Sequence, residues 1–317
     1  MPSSPNGMSQ QRRLERGLKM HVVVFGAGAV GCYYGGMLAR AGHHVTLIGR
    51  AHHVQAIERQ GLRLQTTTFD EYVPLHASTN ASAAGQADVV LCCVKSGQTI
   101  DAGHALAPHL KPEAQVLSLQ NGVGNAQRLA EVLQRDVVPA VVYVATEMAG
   151  DGHVQHHGRG ELVLGPSANS QELAHTLTQA AIPSTVSAEV EQALWTKLVI
   201  NCVYNPLSAL TNMPYGLMVQ QAQMPHVMRA LFDECLAVAH AEGVALSPDL
   251  WDSVLGLAQG MAHQRSSTAQ DLNLGKATEI DFINGEILQR GARHGIATPV
   301  NQTMVTLVHA AEALARK

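Results

Sequence analysis

The chain has 317 residues, 46% hydrophobic and 15% charged, with a formal net charge of -4. That length exceeds what one hydrophobic core usually serves, so two domains are expected and a wholly disordered chain is excluded. No basic stripe interleaved with aromatics points to nucleic acid, and no apolar run reaches the roughly 18 residues of a membrane span, which leaves a small molecule as the expected partner.

Residues 1–19 carry Arg12, Arg13, Arg16 and Lys19 but no apolar stretch of the kind a secretory signal needs. They read as a disordered extension of a cytoplasmic protein whose fold starts at Met20. The five cysteines (Cys32, Cys92, Cys93, Cys202, Cys235) are odd in number and lack C-x-x-C spacing, the pattern of reduced thiols. Among the 17 histidines the densest cluster is His153, His156 and His157, without metal-ligand spacing, so no metal is expected.

From residue 21 to about 187, short β-branched runs alternate with helical stretches. Strands are expected at 22–25, 44–48, 89–94, 116–119 and 137–144, and the alternation predicts an α/β domain built on a doubly wound parallel sheet of Rossmann type. The first strand runs into Gly26-Ala27-Gly28-Ala29-Val30-Gly31, which opens a helix. Glycines in this pattern suit a tight turn, close approach of a pyrophosphate and helix-to-strand packing, and the helix N-terminus offers free amides to phosphate. The second strand ends at Gly49-Arg50, where an NAD site would carry an acidic residue; Arg50 suits the 2′-phosphate of NADP instead. Lys95 and Gln120-Asn121-Gly122 follow two further strands at the carboxyl edge, where open α/β sheets bind ligands. Segments 153–157 and 161–164 flank Gly158-Arg159-Gly160 and predict a hairpin.

After about residue 188 the strand signal gives way to helical periodicity, over 189–204, 224–241, 248–263, 276–294 and 299–315. An all-helical second domain over 188–317 is expected, packed against the 20–187 domain across a cleft. In the first of these helices Lys197, Asn201 and Asn205 recur at four-residue spacing and form one polar stripe on an apolar helix. Such a stripe faces either a polar ligand or a closed internal hydrogen-bond network, the latter with Asn205 ending the helix before Pro206. Ser266, Ser267 and Asp271, then Glu279, Asp281 and Asn284, add polar groups farther on.

Six ordered motifs, G-A-G-A-V-G, V-K-S, Q-N-G, L-W-x-K-L-x-x-N-x-x-x-N-P, S-S-x-x-Q-D and E-I-D-x-I-N-G, resemble the 2-dehydropantoate 2-reductase (ketopantoate reductase) family from Met20 to the C-terminus. The resemblance implies NADPH-dependent reduction of a 2-keto acid, 2-dehydropantoate to (R)-pantoate on the route to pantothenate and coenzyme A. It implies Lys197 as proton donor to the carbonyl, Asn201, Asn205 and Ser267 holding the substrate's carboxylate and hydroxyl, and Asn121 between nicotinamide and substrate. Glu279 would contact the substrate region and the cofactor ribose, and Arg50 and Lys95 would grip the 2′-phosphate. One position departs: where the family often has Asn-Gly after a proline, this chain has Pro214-Tyr215-Gly216. A paralogous NADP-dependent reductase of another 2-keto acid and a catalytically silent NADP-binding sensor stay open as alternatives, and a homodimer is compatible with all three.

Overall fold

The computed structural model describes residues 19–315, and the expected extension over 1–19 lies outside them apart from Lys19. In β1 (His21–Phe25) Val22 and Val24 enter one core and Val23 another, as side-chain alternation along a strand requires. Both faces are buried, which is why the run reads as continuously apolar. The first face is covered by α1 (Ala29–Arg40), and β2 (His44–Ile48) lies parallel to β1. Next come α2 (Ala51–Gln60), β3 (Leu62–Gln65), β4 (Asp70–Val73) and β5 (His76–Ser78). β6 (Val89–Cys92), α3 (Thr99–Leu106), β7 (Gln115–Ser118) and α4 (Asn125–Leu133) complete the second face, where Leu106 and Leu129 are fully buried. A long ribbon of β8 (Val138–Gly150) and β9 (His153–Leu164), then α5 (Ser170–Gln179) and β10 (Ser184–Val186), closes this half.

The sheet order is β4-β3-β9-β8-β7-β6-β1-β2-β5, with β10 beside β9. Strands from β5 to β8 along this order are mutually parallel, whereas β8 with β9 and β3 with β4 are antiparallel. β3, β4, β5 and β10, short and largely polar, carry little apolar signal and were not expected.

The hairpin expected around Gly158-Arg159-Gly160 is not formed. β9 runs straight through these residues, and the reversal lies at Asp151-Gly152, with Gly152 at φ 65°. A Gly-x-Gly triplet serves a bulge as well as a turn, and the β8–β9 register shifts after Tyr143 and Ala145, opposite the triplet.

The second half holds α6 (Val190–Thr211), α7 (Tyr215–Met218), α8 (Met224–Ala241), α9 (Leu250–Gly260), α10 (Ser267–Asn273), α11 (Asn284–Arg293) and α12 (Pro299–Ala315). Their shared core contains Trp195, Cys202, Tyr204, Met228, Phe232 and Val254. Tyr215 belongs to it, with its ring 4.7 Å from that of Tyr204, so it packs in the helical core.

Two helix expectations change. α6 does not stop at Asn205 but continues through Pro206. Proline has no N–H for the carbonyl four residues back, and the Asn284 side chain replaces it, donating from Nδ2 to Cys202 O at 3.0 Å. The expected helix over 276–294 begins only at Asn284, after a 3-10 turn at Ile280–Phe282. Residues 277–282 are drawn instead to the sheet half: Ala277 O accepts from Lys95 Nζ at 2.6 Å, and the Phe282 carbonyl and ring close on Gly122 and Gly97. No helix among the described residues is long and apolar enough to cross a membrane.

Candidate active site

Sterics of the protein itself dictate two of the three loop glycines. A Cβ on Gly26, at φ 113°, would lie 2.7 Å from Cys93 C, and one on Gly31 would lie 2.1 Å from Gly26 O. At Gly28 an added Cβ meets nothing within 4 Å. Glycine there serves no internal contact and leaves the backbone open to a close-lying ligand. Ala27 is buried against Gly49, and the helix starting at Ala29, Val30 and Gly31 has no capping side chain and no acidic residue in its first turn. Its first amides are therefore available to an anion, so the loop fits a dinucleotide pyrophosphate.

Arg50 is exposed at the N-cap of α2, whose first turn has no acidic residue. Glu58, the first carboxylate after β2, accepts from Ala77 N at 2.6 Å. His53 lies beside Arg50 from its own helix and beside Lys276 from the helical half. Burial, then His52, then these two cations hold its imidazole below the ordinary range, against the opposing pull of Asp151. This end of the cleft suits a phosphate.

His153, His156 and His157 do not form a cluster; each meets a separate partner, Gln65 Oε1, Arg159 O and Glu147 Oε1. Among the described residues the group with metal-ligand proximity is His52, His53 and Asp151, which the sequence spacing hides. Gly152 N already donates to His53 Nδ1 at 3.3 Å, and Arg50 and Lys276 oppose a cation there.

Lys197 projects from α6 out of its own half and onto the sheet half. Its Nζ donates to Asn121 Oδ1 at 2.9 Å and to the carbonyl of Val142 on β8. Burial, partly offset by Glu279 and reinforced by Arg159, draws the ammonium down from 10.5 to about 8. Asn201 is half-buried and Asn205 is 3% exposed. Among the described residues neither side-chain amide makes a hydrogen bond, although the Asn205 backbone carbonyl accepts from Ser266 Oγ at 3.1 Å. Ser266 caps α10, accepting from Ala269 N, and Ser267 is exposed at the first position of that helix.

Asn121 is held by its backbone. Its carbonyl accepts from Asn125 Nδ2 at 2.7 Å and from Ser96 Oγ at 3.0 Å, while Ser96 N donates to Glu279 Oε1 at 2.8 Å. Lys197, Asn121, Ser96 and Glu279 thus form one hydrogen-bonded chain across the two halves. Asn125 Oδ1 accepts from Arg128, which also reaches Glu286 Oε2 at 2.7 Å. Lys95, by contrast, is engaged by the helical half: its Nζ meets Asp271 Oδ2 at 2.8 Å as well as Ala277 O. Chemically, the seam between the halves offers a positioned ammonium drawn down to about 8, asparagine amides on the same helix that are unpaired among the described residues, and a glycine loop with free helix amides on the sheet half.

Two family models match this chain in tandem, ketopantoate reductase PanE/ApbA over residues 22–169 and its C-terminal counterpart over 189–312. The chain belongs to the ketopantoate reductase family. A 2-dehydropantoate 2-reductase of Vibrio cholerae is 35% identical over 292 residues, covering 90% of this chain and 95% of the relative. A crystal structure of a PanE/ApbA family ketopantoate reductase from Ralstonia eutropha is 53% identical, with TM-score 0.92 over 94% of this chain and 100% of that one. D-mandelate dehydrogenase, in a ternary structure with NADH and anilino(oxo)acetate, shares the fold at 24% identity, with TM-score 0.89 over 94% of this chain and all of that one. In this chain the Lys197–Asn121 bond crosses between the sheet half and the helical half.

Sequence reasoning missed Ser96, Asn125, Arg128 and Glu286, and named Asn284 without its role beside Pro206. The first two sit inside V-K-S and just after Q-N-G, so their neighbourhood was flagged; the Arg128–Glu286 pair and the Asn284 bond to Cys202 O join residues far apart in the chain.

Proposed function

We propose that this chain is a cytoplasmic NADPH-dependent reductase of a 2-keto acid, with 2-dehydropantoate as the first candidate and (R)-pantoate as product. In this reading residues 20–187 hold the cofactor and 188–317 contribute the substrate side. One observation carries it: the Lys197 ammonium is delivered onto Asn121 of the facing half, while Asn201 and Asn205 on the same stripe keep amides unpaired among the described residues. A silent sensor would more economically bury that stripe in internal hydrogen bonds.

The glycine loop and the α1 amides would hold the pyrophosphate, with Arg50 on the 2′-phosphate and Lys95 bracing the adjoining seam through Asp271. When bound, the cofactor supplies the hydride. Lys197 donates a proton to the substrate carbonyl oxygen, stabilising the negative charge that develops there. Its value of about 8 leaves most of it protonated at neutral pH and still able to give the proton up. Asn201, Asn205 and Ser267 orient the substrate; Asn121 and Glu279, tied together through Ser96, fix the distance between the two reactants. The test is NADPH and NADH oxidation against a panel of 2-keto acids. Turnover of 2-dehydropantoate with NADPH above all other pairs is expected; no turnover of any 2-keto acid would return the sensor reading. Sedimentation of the same preparation decides whether the working form is a homodimer.

A further inference from the structure

One cation near Lys197 has no role in the chemistry assigned so far. Arg159 lies in the middle of β9 at φ 61°, between Gly158 at 151° and Gly160 at 138°. Left-handed backbone is disfavoured for a residue with a side chain, and such strain collects where a side chain has to be aimed. Glycine at 160 is forced, since a Cβ there would come 2.5 Å from the Tyr33 hydroxyl. The resulting bulge carries the Arg159 guanidinium over the Tyr143 ring. Arg159 Cζ is 4.3 Å and Lys197 Nζ 5.9 Å from that ring's centre, so the two charges lie at most about 10 Å apart.

We propose that Arg159 is a further, ionic partner of the carboxylate of the 2-keto acid whose carbonyl oxygen faces Lys197, beside Asn201, Asn205 and Ser267, an assignment that rests on the function proposed above. A guanidinium matches a carboxylate in bidentate fashion. The carbonyl oxygen and the carboxylate of a 2-keto acid, each held at about 2.8 Å, fit within that upper limit on the separation of the two cations. Arg159 also repels the Lys197 ammonium, and an anion between them turns that repulsion into attraction to both. Its present partner, Glu161 at 3.4 Å, is a loose pair with side chains 54% and 44% exposed, which a substrate carboxylate displaces at little cost. The site therefore selects anionic 2-keto acids over neutral ketones.

Arg159→Gly is the informative variant, because glycine removes the charge and accepts the φ of 61° more readily, so loss of folding cannot mimic loss of binding. The Michaelis constant for 2-dehydropantoate should rise at least about tenfold and the preference for the acid over its methyl ester should collapse. The NADPH dissociation constant should stay within about threefold and the melting temperature should not fall. Calorimetry with oxamate, an unreactive 2-keto acid mimic, on the NADP-loaded protein gives the same reading without turnover. If the parent reduces nothing, the proposed function fails, yet the oxamate comparison still decides Arg159. Oxamate affinity within about threefold of the parent, or equal losses for acid and ester, overturns the assignment.

Discussion

Replacing Asn284 with alanine tests how this fold tolerates a proline inside its central helix. Asn284 Nδ2 donates to Cys202 O at 3.0 Å and to Asn301 Oδ1 at 2.9 Å, both in the buried helical core. Because Cys202 O can only accept, the amide must present its NH₂ on that side. The variant leaves Cys202 O without this donor, at about 1–3 kcal/mol, and Asn301 Oδ1 with the weak Cys235 Sγ donor at 3.8 Å, at about 1–2 kcal/mol. Asn284 Oδ1 is itself buried without a partner among the described residues, and its removal returns part of that, leaving about 2–4 kcal/mol. Both tryptophans, Trp195 and Trp251, lie in the helical core or against it, so intrinsic fluorescence during urea denaturation reports on the affected half. Pro206→Ala supplies the missing N–H to Cys202 O. In the Asn284→Ala background it should recover about 1–2 kcal/mol relative to its effect in the parent. Strict additivity, within about 0.5 kcal/mol, would refute the claim that Asn284 stands in for the proline's absent donor.

Two other outcomes follow from the electrostatics. Arg50→Asp should narrow or reverse the preference for NADPH over NADH, read as the ratio of catalytic efficiencies; a parent that uses both cofactors equally would sink the 2′-phosphate role. His309 bridges Asp281 Oδ1 at 2.8 Å and Glu312 Oε2 at 3.3 Å, and Glu312 Oε1 accepts from Thr278 N at 2.6 Å, on the segment that carries Glu279. The hydrogen bond with Asp281 leads in raising His309 above 6.5, against burial and with help from Glu312. A raised folded value means stability that is fully present below 6.5 and lost as pH climbs through the folded value. The parent's melting temperature should therefore decline more steeply than that of His309→Gln as pH rises above 6.5; parallel curves would show the bridge to be inert.

What was legible in the sequence was local. The glycine loop is read from residues five apart that share one turn, and the Lys197-Asn201-Asn205 stripe from the helical period. Long-range tertiary contact was not legible. Residues 276–283 have helical composition, but Glu279 on Ser96 and Phe282 against Gly97 and Gly122 hold them out of the helix. Gly158-Arg159-Gly160 reads as a turn until β8 is seen to pair along its whole length. Asn284 explains Pro206 only across 78 positions of chain, and His52 and His53 meet Asp151 across almost a hundred. Lys95 reads as a cofactor lysine, yet it is paired with Asp271 of the other half, a contact no strand-end pattern encodes.

The central claim is that Lys197 gives the proton as the carbonyl is reduced, and the pH profile of NADPH-dependent 2-dehydropantoate reduction by the parent and by Lys197→Met tests it most directly. Catalytic efficiency of the parent should fall as pH rises past about 8, where the buried ammonium loses its proton. The variant should lose that limb together with at least about a hundredfold in turnover, while binding NADPH as before. A variant within about threefold of the parent, or one that keeps the same alkaline limb, would contradict the account.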